Sequence, residues 1–259
     1  MPAVEAPTSR RLRVRAATVD EIKAVALRLL VEQGPEGMTL RAIAREMGMT
    51  APGLYRYFPS HEDLHKTLVA DTYDRLAAVL AQARDGADAA HDQDPMLAGK
   101  PLVVVQLVSA AKAFRDWSVV HPREFGLVFG TPVPSLTRSD DDPAHAAGMR
   151  FGAVFTEIFI RLWTEMPFPV EPDAALPEAL AEQLRDYRAT LVELFGPATG
   201  DLPLAAINTF LRAWVQLYGL VAMDVFNHLH FCLTDASPFF ETTLQAIGRS
   251  LGIDYTPQG

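Results

Sequence analysis

The sequence predicts an all-α protein. Three observations carry that prediction. Apolar residues recur at i, i+3, i+4 and i+7 in segment after segment, and no run alternates as a strand for more than a few residues. Pro and Gly sit between those segments rather than inside them. At least three segments open on a Ser or Thr three residues before a group that can complete a helix cap. About nine or ten helices are expected over the 259 residues.

The first ten or so residues are rich in Pro and Ala, and Arg10, Arg11, Arg13 and Arg15 follow, so residues 1–16 read as a flexible basic arm. Thr18-Val19-Asp20-Glu21 fits a capping box and predicts a helix start at Thr18. Ile22, Val25, Ala26, Leu29 and Leu30 form its apolar stripe, and Gly34-Pro35 ends it. Thr39 can cap a second, short helix over Leu40–Met47. Gly48 stands where the backbone needs a positive φ to leave a helix. Thr50 can cap a third helix with Pro52 in its first turn, where a missing N–H costs nothing. Leu54 and Phe58 share its inner face and Pro59 stops it. Ser60-His61-Glu62-Asp63 opens a long helix toward Arg84.

Residues 85–100 and 131–143 are rich in Asp, Gly, Ala or Pro and read as long loops. Further helices are expected at Leu102–His121, Pro122–Phe129, Ala144–Glu165, Ala174–Phe195, Leu204–His230 and Pro238–Leu251. No internal repeat is present.

Several function classes are disfavoured early. The single cysteine leaves no disulfide framework and no Cys-based zinc site. No nucleophile elbow, phosphate loop or dinucleotide fingerprint occurs, so no enzyme activity and no cofactor are expected. His61 and His65 are four apart, and His228, His230 and Cys232 lie close in sequence. His61 and His65 could bind a metal together, but solvated residues at a helix start are the simpler reading. Two of His228, His230 and Cys232 would point to different faces of a helix, so no metal site is expected. Asp140-Asp141-Asp142 reads as a solvated loop. The apolar stretch 211–226 contains Arg212, Gln216 and Asp224 and is too short and polar for a membrane span. No leader is visible, and the chain reads as cytoplasmic.

The net charge of −9 argues at first against nucleic acid. Its distribution reverses that argument. Residues 1–66 carry 10 Lys+Arg and 8 Asp+Glu, whereas residues 67–259 carry 13 and 24. The acidic excess belongs to the second region, and only the first could approach a duplex.

Residues 39–58 have helix-turn-helix architecture: a short amphipathic helix, a glycine turn and a second short helix. Ala44 is small where the helices must approach. The outer face of the second helix offers Thr50, Ala51, Gly53, Tyr55 and Arg56, short enough for a backbone to sit deep in a major groove. The Tyr55 and Tyr57 hydroxyls suit phosphate, and Arg56 can reach phosphate or a guanine edge. Thr39-Leu40-Arg41-Ala42-Ile43-Ala44 followed by Gly48-Met49-Thr50-Ala51-Pro52-Gly53-Leu54-Tyr55-Arg56-Tyr57-Phe58 resembles the DNA-binding domain of the TetR family of bacterial transcriptional regulators. The resemblance covers residues 18–65. It implies a three-helix DNA-binding domain over 17–67, a fourth linking helix, and a helical domain over 68–259 for ligand binding and dimerisation. It also implies phosphate contacts by Thr39, Arg41 and Tyr55, with Thr50, Ala51, Pro52 and Arg56 facing bases or backbone. The family usually has lysine two residues after the Phe-Pro turn. His61 stands there, which implies a weaker or pH-dependent phosphate contact.

The second region resembles the family less. Trp214-Val215-Gln216-Leu217-Tyr218-Gly219 is similar to the Trp-x-x-x-His-Gly signature of one effector-domain subgroup, with Tyr218 in place of the histidine. Aromatics crowd this region. Phe151, Phe155 and Phe159 form a row at i, i+4 and i+8, which most simply reads as core. Phe114, Trp117, Phe151, Phe155, Trp214 and Tyr218 are the candidates for lining a pocket for a bulky, largely apolar effector. The expected protein is a homodimeric repressor released from an operator in double-stranded DNA by such a small molecule. Its last two helices would pair across a two-fold axis. The rival readings are an architectural DNA-binding protein without effector, or a helical carrier or enzyme without DNA binding.

Overall fold

A computed structural model describes residues 7–87, 97, 99–130 and 142–254. It contains ten α-helices among the described residues: α1 (Pro7–Gln33), α2 (Leu40–Glu46), α3 (Ala51–Tyr55), α4 (His61–Asp85), α5 (Leu102–Val120), α6 (Pro122–Phe129), α7 (Pro143–Glu165), α8 (Glu178–Phe195), α9 (Leu204–Val225) and α10 (Ser237–Ser250). No strand occurs among the described residues. The expected loops at 85–100 and 131–143 lie largely outside the described residues, as do residues 1–6 of the expected basic arm.

The helix start expected at Thr18 is corrected. α1 begins at Pro7 and runs through Thr18, whose hydroxyl donates to the Val14 carbonyl at 2.9 Å. Residues 10–17 supply Arg, Leu and Ala, all strong helix formers, so the helix continues toward the N-terminus past a possible cap. Two other expected helices are shorter. Ala174–Phe195 is interrupted because Pro177 forces a new start, leaving a 3₁₀ turn at Asp173–Ala175 ahead of α8. Leu204–His230 ends at Val225, where Asn227 adopts φ 58 and the His228 amide reaches back to the Met223 carbonyl at 2.8 Å. Asparagine is the non-glycine residue best suited to that left-handed position.

The chain divides into two compact units: residues 1–74 with 123–149, and residues 75–122 with 150–259. The first unit takes in residues 123–149, which no sequence motif ties to it.

The first unit, the head, has a continuous apolar core of Ile22, Ala26, Leu29, Leu30, Met38, Leu40, Ile43, Ala44, Leu54, Phe58, Leu64, Leu68 and Leu127. α1 thus buries the predicted stripe, and α6 contributes Leu127. Phe129 of α6 meets Tyr73 edge-on at 5.7 Å between centroids. Lys23 joins α1 to α4 through Asp71 at 3.0 Å. Burial works against the Lys23 charge, but Asp71 and Asp20 outweigh it and raise its pKa.

The second unit assembles α5, α8, α9, α10 and the adjoining parts of α4 and α7. Val103, Val104 and Val105 are buried within α5, so a β-branched run has been held helical by the packing it gains. α9 opens after Pro203, which has no capping side chain. Its free amides are satisfied from a distance: Asp173 accepts from Leu204 N at 3.1 Å and from Ala205 N at 2.9 Å.

Candidate DNA-reading face and effector cavity

Local chemistry positions the two short helices of the head. Thr39 adopts an extended backbone and its hydroxyl accepts from Ala42 N at 3.1 Å, capping α2. α2 leaves through Gly48 at φ 63, with Met49 N donating to Ala44 O at 2.8 Å. Thr50 repeats the cap on α3, accepting from Gly53 N at 3.2 Å. Each cap contributes about 1 kcal/mol, a sizeable amount for helices of seven and five residues. Ser60 caps α4, accepting from Asp63 N at 3.0 Å.

The face so produced can be read residue by residue. Thr39, Arg41, Thr50, Pro52, Tyr55 and Arg56 are exposed, and Ala51 is half-buried. Tyr55 is 50% exposed while its neighbour Leu54 is fully buried. Half of this large aromatic's surface is thus left open to solvent.

Three expectations about this face are corrected. Gly53 is buried rather than outward. A Cβ there would lie 3.2 Å from the Thr50 hydroxyl, so glycine leaves room for the cap. α3 ends at Tyr55 and does not reach Tyr57. Tyr57 is half-buried against the head core, and the Arg15 guanidinium stands 5.1 Å from its ring centroid. His61 is exposed, but its Nε2 lies 2.8 Å from the Met38 carbonyl. A carbonyl only accepts, so Nε2 carries the proton and is committed to the backbone. The ring therefore braces the turn before α2 and offers phosphate at most its other nitrogen. Its centroid is 6.5 Å from that of His65. Burial, then the neighbouring His61, lowers the His65 pKa below the ordinary histidine value.

The second unit contains a cavity of ≈ 40 Å³ walled by α5 (Leu107, Val108, Ala111), α7 (Phe155, Phe159, Leu162), α9 (Phe210, Ala213, Trp214, Leu217), and α10 with the residues after it (Leu244, Ile247, Gly248, Leu251, Ile253). Every wall residue is apolar. Of the six sequence candidates, Phe155 and Trp214 lie in the wall. Phe114 and Phe151 stand behind them in a four-ring cluster, with Phe114–Trp214 at 5.6 Å and Phe151–Trp214 at 5.7 Å. Tyr218 adjoins Trp214 at 6.1 Å without lining the cavity, and Trp117 stacks on His121 at 4.8 Å elsewhere. The aliphatic walls from α5 and α10 escaped sequence reading because nothing distinguishes a lining leucine from a core leucine.

α10, the outer wall, is fixed by charges. Arg115 of α5 donates to Asp224 at 2.8 Å and to the Ser237 hydroxyl at 3.2 Å, and its guanidinium lies 5.0 Å from the Phe240 centroid. Lys112 stands 2.8 Å from Glu241, a charge contact rather than a well-directed hydrogen bond. Among the described residues no cluster of His, Cys, Asp and Glu could hold a metal ion, and no helix is long and apolar enough to cross a membrane.

Comparison with known proteins decides the family. Residues 22–68 match the model for bacterial regulatory proteins of the tetR family, and residues 107–247 match the model for the tetracyclin repressor-like C-terminal domain. The chain belongs to the TetR family. It is 30% identical over 215 residues to the HTH-type transcriptional regulator Rv1816 of Mycobacterium tuberculosis and to Mb1846 of Mycobacterium bovis, with 83% of each chain covered in both cases. The crystal structure of the putative regulatory protein SCO4313 superposes with a TM-score of 0.61 at 25% identity, covering 91% of this chain and 97% of that one. A Rhodococcus sp. RHA1 protein of unknown function shares the fold, with a TM-score of 0.54 at 18% identity over 90% and 93% of the two chains. The TetR-family assignment makes the helix-turn-helix a DNA-binding element and the protein a transcriptional regulator.

Proposed function

We propose that this regulator is a homodimeric repressor whose α3 helices enter successive major grooves, and that an apolar small molecule in the second unit releases it. The observation that carries the proposal is the exposed Tyr55–Arg56 pair at the end of a short helix whose start is capped by Thr50. In this reading Thr39, Arg41 and Tyr55 hold phosphates and fix the register, while Thr50, Ala51, Pro52 and Arg56 face bases or backbone. Gly53 acts through the cap, and Tyr57 and His61 act by bracing. Two-fold symmetry would set the half-sites one helical turn apart, about 34–36 Å or a multiple.

The effector is inferred from the wall. With no polar group lining the cavity, nothing there would orient a charged or strongly hydrogen-bonding ligand. The present volume of ≈ 40 Å³ holds only a few water-sized groups, so a bulky effector must displace a wall. A ligand that favours the opened arrangement shifts the population toward it, and that differential affinity is the whole of its regulatory force. The exposed Val215 and Met223 of α9, with Phe226 just past its end, support dimerisation through this helix.

Selection of genomic fragments by the purified protein, followed by titration of a recovered duplex, tests the reading. Tyr55→Ala should weaken binding roughly 10-fold or more, the worth of a hydrogen bond to a charged group. Unchanged affinity would remove the phosphate role. Apolar aromatic and aliphatic compounds are then screened for release of that duplex with a change in tryptophan emission. Release by polar anions alone would refute the cavity as the effector site.

A further inference from the structure

α1 starts well before the head needs it. Its contacts with the core begin at Val19 and Ile22, and the match to the tetR-family DNA-binding model begins at residue 22. Ahead of these lie Arg10, Arg11, Arg13 and Arg15, helical and exposed. Helical geometry puts Arg11 and Arg15 on one face, one turn apart, with Arg10 about 100° round the axis from Arg11. That face is not free-floating. Arg15 donates from Nη2 to the Arg56 carbonyl at 3.2 Å and lies over the Tyr57 ring. Arg15 thus ties the extension to the end of α3, next to the exposed Tyr55 and Arg56. Arg11 follows about 6 Å further along the axis at 1.5 Å per residue.

We propose that the Arg10–Arg15 turns of α1 are a second duplex-contacting element, which binds backbone phosphates flanking the groove that α3 enters. The proposal rests on α3 being the DNA-reading helix. Charge complementarity selects the duplex as the occupant. The element is a run of arginines continuous with the reading face, in a chain whose residues 67–259 are acidic in sum, with 13 Lys+Arg against 24 Asp+Glu. A lipid surface is disfavoured by the two apolar side chains present: Leu12 and Val14, both exposed, are two residues apart and do not share a helical face. The contact is with phosphate because nothing but charge is presented, and charge reads no sequence.

The experiment is a salt titration using a duplex recovered by genomic-fragment selection and a random-sequence duplex of equal length. The variants are R10Q/R11Q and R10K/R11K. Removing one phosphate contact lowers the slope of log K against log[salt] by about 0.9, so R10Q/R11Q should flatten it by about 1.8 per head. R10K/R11K should keep the slope of the unaltered protein, because lysine supplies the same point charge. The preference for the selected duplex over the random one should move far less than either affinity. An unchanged slope in R10Q/R11Q, or an equal flattening in R10K/R11K, overturns the proposal while leaving the α3 reading intact. If the unaltered protein selects no duplex at all, the α3 reading itself fails.

Discussion

The head and the second unit solve the same problem, burying apolar faces between helices, with different instruments. The head relies on local devices. Three hydroxyl caps and one positive-φ glycine fix α2, α3 and the start of α4 within about twenty residues, so short helices stand in one arrangement. The second unit relies on distant ones. Asp173 caps a helix from 31 residues upstream, and Arg115 holds α9 and α10 from 109 and 122 residues away. Local devices give a rigid surface for reading DNA. Long-range ties join walls carried on separate helices, which the proposed effector would part.

The difference can be broken at its strongest point. Leu54 is fully buried between the short helices, and Leu54→Ala should cost the head about 2–5 kcal/mol. DNA binding should fall with it. Tryptophan emission should stay near that of the unaltered protein, because Trp117, Trp163 and Trp214 all belong to the second unit. Loss of both signals at one denaturant concentration would show a single cooperative structure instead. Arg115→Ala tests the other side. It leaves Asp224, 16% exposed, without its partner, and the cost should approach about 3 kcal/mol, the lower end for a broken buried pair. Denaturant unfolding followed by tryptophan emission should show it, with duplex affinity under native conditions little altered. A loss of duplex affinity as large as the loss of stability would contradict the division.

Legibility followed the same division. The two caps at Thr39 and Thr50 and the Gly48 turn were readable because a cap is written within four residues and a left-handed position selects glycine. The false start at Thr18 shows the limit: a capping box is permission to begin a helix, and a strong helix-forming run ahead of it withdraws that permission. The cavity was half-legible. Phe155 and Trp214 stand out by size, but Ala111, Gly248 and Ile253 line the same space through tertiary placement alone. The burial of Gly53 was not legible because it turns on the Cβ it lacks, which would crowd the Thr50 hydroxyl, and periodicity cannot show that.

The smallest expected effect sharpens the head further. Burial lowers the His65 pKa from 6.5, so the folded head holds this proton less well than the unfolded chain. Stability from this group is complete above the unfolded value and is lost as pH falls below about 6.5 toward the folded value. Melting curves of the unaltered protein should shift down across that window, and His65→Gln should flatten the shift. An equal shift in His65→Gln would assign it to another group.

The borrowed cap on α9 has a bearing on how such chains diversify. Because Asp173 holds the amides of residues 204 and 205, the segment that carries α8 begins and ends at one point of the unit while α8 itself stays packed in it. Closing a loop grows costlier only slowly with its length, about 0.6 kcal/mol per doubling. The turns before and after α8 can therefore lengthen or shorten while the helix they lead to keeps its start. Size variation among relatives should gather there, and the cavity walls on α5, α7 and α9 should keep their spacing.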